Sequence, residues 1–211
     1  MGNRFDVLRR LGLAAGLLSA VLAANAAEPE IATDTPGATI ATLQRGLIAV
    51  AREQPKATID ERYRALEPLI LATHDLPYIA EFALRRQWDS LNESDRQRFI
   101  AAFQRLSVMT YAARFTNVGP ETFRAATQGP LAEESARAQV STAVARTGAA
   151  DVSLEYLLQQ GATGWRIINV VADGVSDLAL KRAEYQRVLT SGSLETLLAE
   201  LEAQTARLRE D

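Results

Sequence analysis

Apolar residues recur at every third or fourth position up to Gly119-Pro120, at every second position from there to Ala172, and at helical spacing again to the end. Ile40, Leu43, Leu47 and Val50 follow Thr35, a capping residue type, and Pro36, which suits a first helical position; Pro55 ends the run. A second helix carries Ile59, Tyr63, Leu66 and Ile70 on one face, with Pro68 as a point of bending near its end. A third starts near Asp75, holds Pro77 in its first turn and runs to Trp88. The fourth and longest opens on Asn92 and Asp95, carries Phe99, Phe103, Leu106, Thr110 and Ala113, and ends near Phe115.

Beyond Pro120 the period is two. Val140, Thr142 and Val144 share a face, as do Val152, Leu154, Tyr156 and Leu158. Gly161 to Gly164 makes a hairpin turn, after which Trp165, Ile167, Asn169 and Val171 face one way and Ile168, Val170 and Ala172 the other. Residues 121–127 add a fourth, weaker strand. Short connections make these strands antiparallel. Ser176 caps a helix to about Leu189; Gly192 breaks it, and Ser193 caps another carrying Leu194, Leu197, Leu198, Leu201 and Leu208. Helices, then a meander, then helices predict an α+β domain, a curved antiparallel sheet of about four strands packed by helices.

The amino terminus changes the picture of where this protein works. Arg4, Arg9 and Arg10 precede an apolar run from Leu11 to Ala23, shorter than the ~18 residues a membrane span needs, and Ala24-Asn25-Ala26 fits the small-x-small cleavage rule. The expectation is a signal peptide over residues 1–26, cut between Ala26 and Ala27, then a mobile lead over 27–36 and a single domain over 37–211. There is no cysteine, which excludes disulfides, thiolate metal sites and a lipoprotein anchor. Without the leader, 20 basic and 25 acidic residues give a formal charge of −5, which excludes the basic footprint of a nucleic-acid binder.

Candidate chemistry is sparse. His74 is the single histidine, so histidine metal clusters are excluded; at a helix start it reads as a capping or surface residue. Asp173 and Asp177 flank Gly174 and Ser176 in "ADGVSD", but the ligand spacing of a twelve-residue calcium loop is absent. Gly174 suits a sharp exit from the strand, with Ser176 and Asp177 capping and charging the next helix. No glycine-rich phosphate cradle exists, and no metal or cofactor is expected. For an enzyme, Asp173 and Glu155 are the available acids, although alternation puts Glu155 on the face opposite Leu154 and Tyr156.

Two stretches carry a resemblance. "RRQWDSLNESDRQRFIAAFQRLSVMTYAARF" at 85–115 holds Arg86, Trp88, Gln97, Arg98, Phe99, Thr110, Tyr111, Ala112 and Arg114; "GWRIINVVADGVSDLALKRAEYQRVL" at 164–189 holds Trp165, Val170, Gly174, Val175 and Ser176. In combination these resemble the MlaC-type (toluene-tolerance) periplasmic phospholipid-binding proteins over roughly residues 36–205, and "DGVSDLALKRAEY" is similar to the hopanoid-associated HpnM branch. Arg85 stands where a glycine is common in that family, and Asn169 where an acid is common.

The resemblance implies a soluble carrier of phospholipid or hopanoid between inner and outer membranes. Its implied partners are a membrane lipid-transport complex of ABC or RND type and an outer-membrane acceptor. It also implies an apolar lipid pocket. Alternation and helical spacing then nominate Val140, Val144, Val152, Leu154, Tyr156, Leu158 and Ile167 as its sheet wall, and Leu66, Ile70, Ile79 and Phe82 as the wall opposite. Phe103 is expected to point at the sheet with Phe99 and Leu106, while Tyr111, Arg114 and Phe115 sit at the mouth. Two other classes stay open: a small cone-shaped α+β isomerase or hydrolase, and a periplasmic interaction adaptor without a ligand.

Overall fold

The computed structural model describes residues 31–130 and 136–210. The expected signal peptide and the first part of the lead lie outside the described residues. Helix α1 spans Pro36–Glu53, α2 Ile59–Thr73, α3 Leu76–Leu84, α4 Arg86–Ser90 and α5 Glu93–Arg114. Strands β1 Thr127–Pro130, β2 Arg137–Val144, β3 Val152–Gly161, β4 Gly164–Ala172 and β5 Val175–Ser176 follow, then α6 Asp177–Ser191 and α7 Leu194–Glu210. The strands form one antiparallel meander in chain order, and α1, α2, α3 and α6 all reach β4. The α+β architecture is therefore the expected one.

Local signals explain most boundaries. Thr35 caps α1 by accepting from the Ala38 amide, with Pro36 beside it, and Thr58 with Glu61 forms a reciprocal capping box on α2. Asp75, Asn92 and Ser176 cap α3, α5 and α6 in the same way. The Thr33 carbonyl accepts from the Trp165 amide, so the approach to α1 runs against the start of β4. Gly164 is required there: a Cβ on it would lie 2.5 Å from the Thr33 carbonyl oxygen.

Four expectations are corrected. The third helix does not run unbroken to Trp88; it stops at Leu84, and Arg85 turns the chain at φ 50°, ψ −117° before α4. That conformation suits glycine, the residue common at this place in the resembling family, and it ends the hydrogen-bond ladder. The weak strand lies at 127–130 rather than 121–127; upstream of it only Phe123 bridges to Val144, because residues 121–126 lack a period-two pattern. On α5 the buried arc includes Ala102, Val108, Met109 and Ala112, with Thr110 and Ala113 only half-buried. This helix is buried between α2, α3 and α7, so its apolar stripe is wider than one face.

The fourth correction concerns β4. Pairing shifts between Leu157 and Leu158, which face Asn169 and Ile167 respectively, leaving Ile168 as a bulge. Ile167 pairs with Leu158, but beyond the bulge Val170 pairs with Tyr156 and Ala172 with Leu154. The inner face therefore reads Ile167, Val170, Ala172, not Ile167, Asn169, Val171. One extra residue reverses every later side chain.

Candidate functional site

The inner sheet face divides along its length. Toward one end, Val140, Leu158 and Ile167 pack against Ile40, Leu43, Leu66 and Ile70, all essentially inaccessible to solvent. Toward the other, Leu154, Tyr156, Val170 and Ala172 face a cavity of about 700 Å³. Its second wall is α5, through Phe103, Leu106, Thr110 and Tyr111; α3 adds Leu76 and Ile79, and α6 and α7 close the remaining side with Leu178, Tyr185 and Leu208. Native interiors pack at ~0.75 density with few voids larger than a water molecule, so a connected space of this size is a built feature. It falls inside the range of roughly 300–1,000 Å³ usual for ligand sites.

Local geometry opens this space. Asp173 and Gly174 both take positive φ, 47° and 80°, forming the two-residue turn that pairs β4 with β5. The Asp173 carboxylate accepts from the Ser153 amide at 2.8 Å, and Asn169 Oδ1 accepts from Ser176 Oγ and the Leu178 amide. These bonds set the direction in which α6 leaves the sheet. "ADGVSD" is thus a structural corner, and Asp173 does not line the cavity.

His74 is a capping residue but not a surface one. It is 4% exposed and closes α2 as its C-terminal cap. The Thr73 hydroxyl donates to the Leu69 carbonyl at 2.8 Å, so its one hydrogen is engaged and His74 Nδ1–H must donate to Thr73 Oγ1 at 3.0 Å. His74 Nε2 then accepts from the Tyr111 hydroxyl at 2.9 Å. Burial pushes the imidazole pKa down to about 4, against opposing contributions from the Ile70 backbone hydrogen bond and the Asp177 charge. A neutral, doubly bonded histidine thereby fixes the Tyr111 ring on the cavity wall.

The mouth carries charge. Salt bridges pair Arg98 with Glu195 at 2.7 Å and Arg105 with Glu202 at 3.9 Å, which sets α5 and α7 parallel in constant register. Extending that register puts Arg207 level with Thr110 and Arg114 about one turn further on. Both arginines line the cavity and are exposed, and neither guanidinium has an ion-pair or hydrogen-bond partner among the described residues. By contrast Lys181 is held by Asp177 at 2.7 Å, and Glu184 accepts from Gln204. Val175 and Leu180, two of the three large apolar side chains exposed among the described residues, also border the cavity.

Of the residues nominated from sequence, Ile79, Phe103, Tyr111, Arg114, Phe115, Leu154 and Tyr156 line this cavity together. Leu66, Ile70, Val140, Leu158 and Ile167 lie in the sealed core, and Val144 and Val152 pack half-buried against it. Phe82 stacks on Tyr78 beneath the Arg85 guanidinium, away from the cavity. Missing from the nomination are α6 and α7, above all Leu178, Tyr185, Arg207 and Leu208. In the folded protein α6 buries only Tyr185 and Val188, little for a helix sealed against a core, but its sequence, with Leu178, Leu180, Tyr185, Val188 and Leu189, carried no mark of this. No group of three or more metal-ligating side chains is present, and no helix is long and apolar enough to cross a membrane, among the described residues.

Residues 42–203 match the family model described as MlaC protein. The chain is also similar to a solved structure of the phospholipid-binding protein from Ralstonia solanacearum in complex with a phospholipid, with a TM-score of 0.70. The two sequences are 19% identical, and the match covers 82% of this chain and 97% of the other. At that identity the likeness establishes a shared fold.

Proposed function

The chain belongs to the MlaC family, and we propose that it is a periplasmic carrier that holds one phospholipid in the cavity between β3, β4, α5 and α6. The observation that carries this reading is the 700 Å³ space lined by Leu154, Tyr156, Val170, Phe103 and Leu106, in a fold shared with a protein whose structure holds a phospholipid. Exposing an acyl chain of about fifteen methylenes to water costs roughly 12 kcal/mol at ~0.8 kcal/mol each. A carrier lowers that barrier by offering an apolar wall in place of water, and no covalent chemistry is needed. The acids weighed for catalysis favour this reading over an enzyme: Asp173 is tied to Ser153, and Glu155 is exposed on the far face.

In this account residues 37–211 act as one lipid-binding domain released from a signal peptide cut after Ala26. Tails lie against the sheet, and an anionic head group meets Arg114 and Arg207 at the mouth. Exposed Val175 and Leu180 form a greasy lip where lipid enters from a membrane transport complex of ABC or RND type and leaves to an outer-membrane acceptor. The resemblance of "DGVSDLALKRAEY" to the HpnM branch makes a hopanoid the second candidate cargo.

The test is lipid analysis of protein purified from the periplasm without detergent. Co-purified phospholipid in about equimolar amount is the expected result; protein that carries no lipid and takes none from vesicles contradicts the carrier reading. In reloading, Arg114→Ala with Arg207→Ala is expected to weaken uptake of anionic phospholipid several-fold more than uptake of zwitterionic phospholipid. Equal loss for both would remove the arginines from head-group binding.

A further inference from the structure

Most polar atoms on the cavity wall already have partners. Ser107 and Thr110 give their hydroxyl hydrogens to the Phe103 and Leu106 carbonyls at 2.8 and 2.7 Å, and Tyr111 gives its own to His74. Tyr156 and Tyr185 are different. They are 4% and 1% exposed, both line the cavity, and neither hydroxyl has a hydrogen-bond partner among the described residues. Their rings are well used: Tyr185 meets Phe99 and Phe103 edge-on at 5.8 and 6.5 Å. Phenylalanine would pack as well, so the rings do not account for the oxygens. Both oxygens reach the open space of the cavity rather than being sealed in the core, and a lipid that displaces water from that space must offer them an acceptor or leave them unsatisfied.

We propose that Tyr156 and Tyr185 donate hydrogen bonds to the ester carbonyls of a diacyl lipid, so that the cavity reads the linkage joining the tails to glycerol. This rests on the carrier reading above. A hydrocarbon tail offers a phenol no acceptor, and the phosphate is drawn to the exposed guanidiniums at the mouth. Within the part of such a lipid that leaves water, the ester carbonyls are the acceptors that remain. Two carbonyls match two donors. Tyr111 cannot serve, because its hydrogen is committed to His74 Nε2. Burial raises the pKa of all three phenols, and the nearby Tyr156 raises that of Tyr111 further, so they remain hydrogen-bond donors throughout the physiological range.

The experiment is a competition, read by native mass spectrometry, between a 1,2-diacyl phosphatidylglycerol and its 1,2-di-O-alkyl analogue with the same chains and head group. The ether keeps phosphate and tails but removes both carbonyls. Wild-type protein is expected to prefer the diester by about five-fold or more, the worth of one net hydrogen bond or slightly above. In Tyr156→Phe with Tyr185→Phe the preference is expected to vanish, diester loading falling to the level of the diether, with a wild-type melting temperature for the lipid-free protein. Equal loading of diester and diether by the wild type overturns the ester reading and leaves the carrier standing. A diester preference that survives in the double variant overturns the assignment to these two tyrosines. Failure of both lipids to load overturns the carrier reading itself.

Discussion

Two stretches of the same sheet face, a few residues apart, meet opposite fates. Around Leu158 and Ile167 the face is sealed by α1 and α2, with Ile40, Leu66 and Ile70 filling the gaps. Around Leu154, Tyr156 and Val170 the same alternation opens on a cavity. The strand chemistry is alike in both; the covering helices are not. Helices α1 and α2 present stripes of Ile and Leu, whereas α6 presents Leu178, Lys181 and Tyr185 and is set off from the sheet by the Asp173-Gly174 turn. A pocket here is a property of how a helix leaves the sheet, not of which residues line the strand.

The comparison predicts unequal losses. Leu158→Ala removes a fully buried side chain from a packed neighbourhood and should cost about 3–4 kcal/mol, because the surroundings relax only in part. Leu154→Ala borders space already and should cost about 1 kcal/mol. Equal losses by urea denaturation would mean that the two regions are packed alike.

The next effect is pH. His74 joins α2 of the sealed region to Tyr111 of the cavity wall. Its pKa is about 4 when folded, against ~6.5 for a free histidine. Above ~6.5 both states hold it neutral and nothing changes. Below that the unfolded chain binds a proton the folded one refuses, so stability falls progressively from ~6.5 to about 4, by about 3 kcal/mol in all. The difference in unfolding free energy between wild type and His74→Gln should shrink by this amount across that window. A pH-independent difference would show that the imidazole can be charged in place.

The smallest effect concerns Arg85, at the break between α3 and α4. Arg85→Gly relieves a positive-φ, negative-ψ backbone and should stabilise the protein by about 1 kcal/mol, net of the lost contact with Phe82. Destabilisation would show that the guanidinium packing over Phe82 dominates.

Helix caps, the period-two meander and the order of elements were legible because each rests on local chemistry: Thr35 and Pro36, Thr58 with Glu61, Asn92 with Asp95. The sheet wall was legible in part. Leu154 and Tyr156 were found by alternation, but alternation could not separate them from Val140 and Leu158, which share their face. Val170 was assigned to the wrong face because a bulge at Ile168 leaves no mark in the pattern. His74 looked like a capping or surface residue, since the partners that bury it, Thr73 apart, come from α5 and β4. Helices α6 and α7 were predicted as elements, yet their place on the cavity depends on the turn at Asp173 and on the ion pairs of α5 with α7.

The central claim, that the space beside Leu154 is a lipid site and not a flaw in a core, is tested most directly by filling it. Leu154→Trp should reduce the phospholipid carried per protein, counted by native mass spectrometry, by several-fold. The lipid-free variant should melt within a few degrees of wild type. Val144→Trp, on the same strand face system but off the cavity, should leave loading intact. If Leu154→Trp instead costs the 1–3 kcal/mol or more typical of an overpacked core while its lipid content equals that of the wild type, the cavity is not where this protein carries lipid.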